Sequence, residues 1–317
     1  SCNLGASCSA DIQIDSEDGS TGSGPDEFAF LGFGISSAGD FDGDGIMDIA
    51  VGAPGADSDQ CSFTCFPGRV YVLRGSASLS GTVELPGASG TSPEGFVAQA
   101  PAATSQFGFA VASVGGDVTG DGRHDLLIGA AGDPDPGRSA LIRGQEFAGT
   151  GLATVPQSAI TSIDTGDAGL YGEWVAGGGD LDGDGRPDLL VYGSSSSTRG
   201  QIHVYRGTGS GYGPDAEHLI VNDVTSAGGD QMGGSLGTGR HPYLGTLGDL
   251  DADGRVDIVF GSEEWGEDDG AVQIFYSESE LTDRDRSTAS VDFAADHGQG
   301  RSVGAFIGEV NGEGCSD

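Results

Sequence analysis

The sequence predicts an all-β protein, a β-propeller of four-stranded antiparallel blades. Three observations carry that expectation. An acidic nine-residue motif recurs at blade-like spacing, similar short strands flank its copies, and the glycine content is too high for long helices. Gly supplies 60 of the 317 residues, and each Gly inside a helix costs about 1 kcal/mol relative to Ala. No Gly-X-Y period is present, which excludes collagen. No apolar run approaches the ~20 residues of a membrane-spanning helix.

The motif occurs first as Asp40-Phe-Asp-Gly-Asp-Gly-Ile-Met-Asp48. It returns as Asp117-Val-Thr-Gly-Asp-Gly-Arg-His-Asp125, Asp180-Leu-Asp-Gly-Asp-Gly-Arg-Pro-Asp188 and Asp249-Leu-Asp-Ala-Asp-Gly-Arg-Val-Asp257. A degenerate fifth copy is Glu309-Val-Asn-Gly-Glu-Gly-Cys-Ser-Asp317. The steps between copies are 77, 63, 69 and 60 residues, too long for a one-hairpin solenoid and suited to a blade with a generous loop.

Small-residue strands precede the loops, at Phe33-Gly34, Phe107-Gly108, Tyr171-Gly172 and Val303-Gly304. Apolar, β-branched runs follow at 49–51, 126–128, 189–191 and 258–260, as expected for crowded inner strands. A third run alternates with period two at 69–73, 201–205 and 271–275, which predicts strands nearer the rim. A weaker fourth run lies at Thr82–Leu85, His218–Val221 and Ala289–Phe293.

Asp11–Ile14 reads as one more fourth strand, and the chain stops just after the fifth loop. The sequence thus reads as about four and a half blades of an incomplete ring. Its divisions are 1–31 (N-terminal segment with a ring-closing strand), blades at 32–96, 97–164, 165–227 and 228–296, and the start of a further blade at 297–317.

Within the motif, side-chain oxygens stand at positions 1, 3, 5 and 9. Position 7 offers its carbonyl, and Gly at 6 permits a sharp turn. Positions 1 to 7 follow the opening of an EF-hand loop, and an Asp at 9 closes the set. Hard oxygen ligands in such number favour calcium over zinc, copper or magnesium. The expected Ca2+ ligands are Asp40, Asp42, Asp44, Ile46 and Asp48; Asp117, Thr119, Asp121, Arg123 and Asp125; Asp180, Asp182, Asp184, Arg186 and Asp188; and Asp249, Asp251, Asp253, Arg255 and Asp257. Ile46, Arg123, Arg186 and Arg255 contribute backbone carbonyls. Thr119 makes the second loop a weaker site. Glu309, Asn311, Glu313 and Asp317 form a crowded fifth, for about four good sites in all.

The formal net charge is −36, and all 13 basic residues are Arg. Nucleic acid and anionic membrane surfaces are excluded as partners by repulsion, and bound cations would relieve the chain's self-repulsion. Cys2 and Cys8 form one close pair, and Cys61 and Cys65 form another. Neither has the His/Cys company of a zinc site, and both read as local disulfides of an oxidising compartment. Cys315 is left over.

The Phe-Gly strand, the acidic loop and Val51-Gly-Ala-Pro54 together resemble the FG-GAP repeat, over essentially all of residues 28–317. Unit two has Ile128-Gly-Ala-Ala131 without the Pro, units three and four erode this element further, and unit four has Met232-Gly-Gly234 for Phe-Gly. The resemblance implies the calcium-binding β-propeller of integrin α subunits and of many secreted bacterial proteins, a bacterial member here. It also implies usually seven blades, with structural calcium between first and second strands.

No catalytic constellation stands out. The five His form no zinc-binding HExxH motif; His124 is expected to point out of loop two and His203 to sit at the rim. Trp265, Tyr212 and Tyr243 are candidate binding-face aromatics. The expected function is that of a non-enzymatic adhesion or ligand-binding module, secreted or on an extracellular surface, with a protein or glycan partner. The alternatives are the propeller of a secreted polysaccharide lyase or phospholipase, or a structural surface protein.

Overall fold

The computed structural model describes residues 12–16, 30–56, 67–77, 79–85, 93–99, 106–132, 138–163, 170–194, 201–212, 218–221, 243–262, 271–278, 284–285 and 289–294. The four cysteines expected in disulfides, Cys2, Cys8, Cys61 and Cys65, lie outside these residues, as does Cys315. So do Trp265 and the fifth loop with Glu309, Asn311, Glu313 and Asp317. No helix among the described residues is long and apolar enough to cross a membrane.

The first unit contains β1 (Ile12–Ser16), β2 (Ile35–Gly39), β3 (Asp48–Ala53), β4 (Arg69–Leu73), β5 (Gly81–Leu85) and β6 (Gly95–Gln99). The second contains β7 (Phe107–Ser113), β8 (Leu126–Ala130), β9 (Arg138–Ile142), β10 (Leu152–Thr154) and, after one 3-10 turn, β11 (Ile160–Ile163). The third contains β12 (Leu170–Gly179), β13 (Asp188–Ser194), β14 (Gln201–Tyr205) and β15 (His218–Val221). The fourth contains β16 (Tyr243–Gly248), β17 (Asp257–Ser262), β18 (Ala271–Phe275), β19 (Arg284–Asp285) and β20 (Val291–Ala294).

Each unit folds into one antiparallel four-stranded sheet: β2-β3-β4-β6, β7-β8-β9-β11, β12-β13-β14-β15 and β16-β17-β18-β20. The inner strands lie side by side, β2 against β7, β7 against β12 and β12 against β16. This is the radial arrangement of a β-propeller. Two short strands extend outer edges in parallel, β10 beside β6 and β19 beside β15, and so cover edges that would otherwise invite pairing.

Three sequence expectations are corrected. Thr82–Leu85 is not the fourth strand of blade one; β6 takes that place, and a boundary at residue 96 cuts through it. The strand expected to close the ring pairs instead with β5 in parallel, from Ile12↔Gly81 to Ser16↔Leu85. The third strands β4, β9 and β14 are not half-exposed, whereas β18 keeps the alternation, with Val272 and Ile274 partly exposed. All five residues of β14 are buried, including Gln201 and His203, because a blade's two faces both lie against other blades.

The core is a series of inter-blade layers. Phe41, Val72 and Phe96 of blade one meet Phe107, Leu126 and Ile128 of blade two. Val114 and Leu127 of blade two meet Leu189 and Val191 of blade three. Tyr192 of blade three faces Phe260 of blade four, ring centroids 5.6 Å apart. Trp174 is partly buried against this last layer.

Inner strands can approach closely only where glycines meet. A Cβ on Gly52 would sit 2.0 Å from the Gly108 carbonyl oxygen, and one on Gly129 would sit 2.0 Å from that of Gly172. Gly108 and Gly172 themselves have φ of +92° and +84°, a conformation that favours Gly. The Phe-Gly and Gly-Ala elements of the repeat are thus two halves of one contact between neighbouring blades.

Candidate metal centre

All four described acidic loops connect the first and second strands of their blades, so they lie at equivalent places in the fold. The chain reverses within each loop by left-handed backbone at positions 4 and 6. These are Gly43 and Gly45, Gly120 and Gly122, Gly183 and Gly185, and Ala252 and Gly254. Sequence reasoning recognised position 6 alone.

The position-1 carboxylate organises the turn. Asp40 Oδ2, Asp117 Oδ2, Asp180 Oδ2 and Asp249 Oδ2 accept the N–H of position 6 at 3.0, 2.6, 2.8 and 2.8 Å. Position 5 accepts the N–H of position 7 in every loop, from Ile46, Arg123, Arg186 and Arg255 at 2.8–3.0 Å. In loop two, Asp117 also takes the N–H groups of Gly120, Asp121 and Thr119; against the raising effect of burial, the Gly122 N–H and these three hold its carboxyl below the ordinary value.

Position 9 is a latch that the sequence did not disclose. Its Oδ2 accepts the N–H of position 2, from Phe41, Val118, Leu181 and Leu250 at 2.8–3.0 Å. Its Oδ1 accepts an N–H just beyond the third strand, from Gly75, Gly144, Gly207 and Ser277 at 2.7–3.0 Å. Asp48, Asp125, Asp188 and Asp257 are all buried. Burial pushes Asp48, Asp125 and Asp188 up to about 6, against the lowering pull of these N–H donors. Asp257 is raised for the same reason.

Three loops gather carboxylates closely enough to hold an ion. Asp40, Asp42 and Asp44, then Asp180, Asp182 and Asp188, then Asp249, Asp251 and Asp257 each bring one oxygen apiece within 4.8 Å of one another. Loop two does not, because Thr119 replaces the carboxylate at position 3 and turns its hydroxyl toward Asp125 Oδ1 at 3.3 Å. Asp40 Oδ1 is buried and has no hydrogen-bond partner among the described residues, a lone pair that a cation fits. The donor sets are oxygen alone, as calcium prefers.

Two histidines and a tyrosine depart from expectation. His124 does not point away from the fold; its ring lies against Gly39 of blade one, where a Cβ would come within 2.0 Å of Nδ1. His203 is in the core rather than at the rim. The Tyr212 hydroxyl is buried near Asp125 and Asp188, so it offers no binding face, and its pKa is raised by burial and by those carboxylates.

Blades joined side by side, with an acidic turn between the first two strands of each described unit, define a β-propeller with repeated acidic loops. The FG-GAP repeat family matches residues 33–73, and the FG-GAP-like repeat family matches residues 180–260. Among similar proteins, integrin alpha-PS2 of Drosophila melanogaster is 30% identical over 186 residues, 56% of this chain. Integrin alpha-5 of Xenopus laevis is 29% identical over 190 residues, 58% of the chain, and integrin alpha pat-2 of Caenorhabditis elegans is 26% identical over 286 residues, 85% of the chain. The matches span 12%, 16% and 21% of those relatives' own lengths. Residues 33–73 and 180–260 thus resemble FG-GAP-type repeats, and the chain is similar to integrin α subunits.

Proposed function

We propose that this chain is the propeller of an extracellular adhesion or ligand-binding module, with calcium as a structural ion in its loops and no catalytic role. The observation that carries the reading is the repetition of one oxygen-only loop at the same place in four successive blades. Similarity to integrin α subunits supports the binding role.

The ligands in this reading are the side chains at positions 1, 3, 5 and 9 and the carbonyls of Ile46, Arg123, Arg186 and Arg255. A bound divalent cation supplies positive charge that offsets the carboxylates crowded into each turn. The protein's own contribution is to hold those carboxylates in place, through the N–H donors of the loop and the position-9 latch. The fifth loop, from Glu309 to Asp317, is a further, weaker site. Disulfides joining Cys2 to Cys8 and Cys61 to Cys65 suit the extracellular setting of this reading. Ring completion takes additional blades to about seven, and the partner is a protein or glycan of a cell surface or matrix.

The test has two arms on the intact chain. Calorimetric titration of chelator-treated protein with calcium should show about four sites, and uptake of none overturns the metal assignment. Immobilised chain should then capture a discrete ligand from a panel of purified cell-surface proteins and glycans, in calcium and not in chelator. A correctly folded chain that captures none overturns the binding role.

A further inference from the structure

In loops one and three, an arginine from just beyond the third strand already occupies carboxylate oxygens of the turn. Arg74 follows β4 directly. Its Nε donates to Asp42 Oδ2, Nη2 donates to Asp44 Oδ2 at 2.5 Å, and Nη1 lies 3.4 Å from Glu94 Oε2. The guanidinium also sits 5.2 Å from the ring centroid of Phe147, which belongs to blade two. Phe147 is in turn packed edge-on against Phe96, so the cation rests on a built platform. Arg206 holds the same place after β14, with Nε 3.2 Å from Asp182 Oδ2. The next residue in each case, Gly75 or Gly207, is tied to the position-9 carboxylate. The arginine backbone is therefore fixed relative to the loop it serves.

The other two blades supply internal contrasts. Arg143 holds this place in blade two, but Thr119 offers no charge, and Arg143 Nη2 donates instead to the Ser158 carbonyl at 3.0 Å. Tyr276 holds it in blade four, beside Ser277. Other guanidinium groups also reach these loops. Arg186 pairs with Asp184 and Arg255 with Asp253 inside their own turns, while Arg123 Nε lies 3.4 Å from the Asp42 carbonyl.

We propose that Arg74 and Arg206 are tethered counter-cations that set the affinity of loops one and three. This rests on reading the loops as calcium sites. The guanidinium and a divalent cation draw on the same carboxylates, Asp42 and Asp44 in loop one and Asp182 in loop three. The arginine holds the turn together when no divalent ion is bound, and its positive charge weakens the attraction for one that arrives. An orienting role would have the opposite sign, because a ligand held in place binds more tightly than a loose one.

Calcium titration and thermal melting of full-length Arg74→Gln, Arg206→Gln and Arg143→Gln separate these roles. The expected result for Arg74→Gln and for Arg206→Gln is calcium binding at one site tightened about three- to tenfold, a lower Tm in chelator, and a nearly unchanged Tm in saturating calcium. Arg74→Lys, which keeps the charge, should fall between wild type and Arg74→Gln. Arg143→Gln should leave calcium affinity unchanged. Weakened or unchanged affinity in both Gln variants overturns the proposal, as does an equal tightening in Arg143→Gln. Should Arg74→Gln fail to fold, Arg206→Gln repeats the test in loop three. A wild type that takes up no calcium overturns the metal reading itself; a wild type that binds, with variants that do not tighten, overturns this proposal alone.

Discussion

The backbone N–H of His124 donates to the carbonyl of Asp40 at 3.0 Å, across the boundary between blades one and two. His124 stands at position 8 of its loop and Asp40 at position 1 of the preceding one. Val256 repeats the bond to Asp180, also at 3.0 Å, between blades three and four. Between loops two and three the position is Pro187, which has no N–H to give. There the segment after β14 still bridges the blades, with Gly211 N–H donating to the Val118 carbonyl at 2.8 Å, as Gln145 N–H donates to the Phe41 carbonyl at 3.0 Å between blades one and two. The peptide that carries each position-8 N–H also carries the position-7 carbonyl, so the loops are joined through the atoms that shape them. Val256→Pro should remove one such bond and cost about 1–3 kcal/mol, seen as a lower urea midpoint. Pro187→Ala should change it by less than about 1 kcal/mol, and equal losses in both would show that the bond is unimportant.

Gly39 and His124 form the side-chain half of that junction. Gly39 has φ of +67°, and a Cβ there would come within 2.0 Å of His124 Nδ1 and 2.8 Å of its Cβ. Gly39→Ala should cost about 2–4 kcal/mol, from overpacking and left-handed strain together. Adding His124→Ala removes the ring but keeps the Cβ, so it should recover part of the steric share and leave about 1–2 kcal/mol. A double-mutant cycle on denaturant midpoints checks this, and strict additivity would refute the contact.

The glycines of the repeat are predicted to be intolerant for a different reason. Gly52→Ala places a methyl against the backbone of Gly108, where no side chain can turn aside. The inner strands must separate, at a cost of about 3 kcal/mol or more. Gly45→Ala meets no atom within 4 Å and carries only the penalty of its φ of +88°, about 1 kcal/mol. Thermal melts of the two variants should differ in that order.

Much of this fold was legible because the repeat writes it four times. The loops and the strands on either side of them could be aligned with one another, and three of the four described third strands followed from alternation. What was not legible depends on contacts distant in sequence. Thr82–Leu85 and Gly95–Gln99 both have strand-like composition, and the choice between them rests on β1, nearly seventy residues earlier, pairing with β5. His203 alternates like a surface residue, yet both faces of its blade are covered. Arg74 lies 32 residues from Asp42, and no local pattern announces that they meet. The position-4 glycines were visible, but their left-handed backbone was not.

Ala252 is the exception among those position-4 residues, with φ of +63° where the other three loops have Gly. Left-handed backbone costs a residue with a Cβ about 1 kcal/mol. Ala252→Gly should therefore stabilise loop four by up to about 1 kcal/mol, less the added chain entropy of Gly in the unfolded state. The gain should appear in the urea midpoint, and a loss of stability would mean that the Ala side chain makes a contact worth more than the strain.

The position-9 latch gives the metal-free protein an unusual pH dependence. Asp48, Asp125 and Asp188 sit at about 6 in the folded chain, and Asp257 is also raised. Their ordinary value in an unfolded chain is near 3.8. Between those values the folded state binds more protons than the unfolded one, so stability falls as pH rises. The contribution is fully present below about 4 and is lost through about 6. Asp117, held below its ordinary value, opposes the trend, but it is one group against four. Growing net negative charge pushes the same way as the four. In chelator, the urea midpoint should therefore be higher at pH 4.5 than at pH 7, and a midpoint that rises over this interval would show that the N–H donors outweigh burial at these carboxylates.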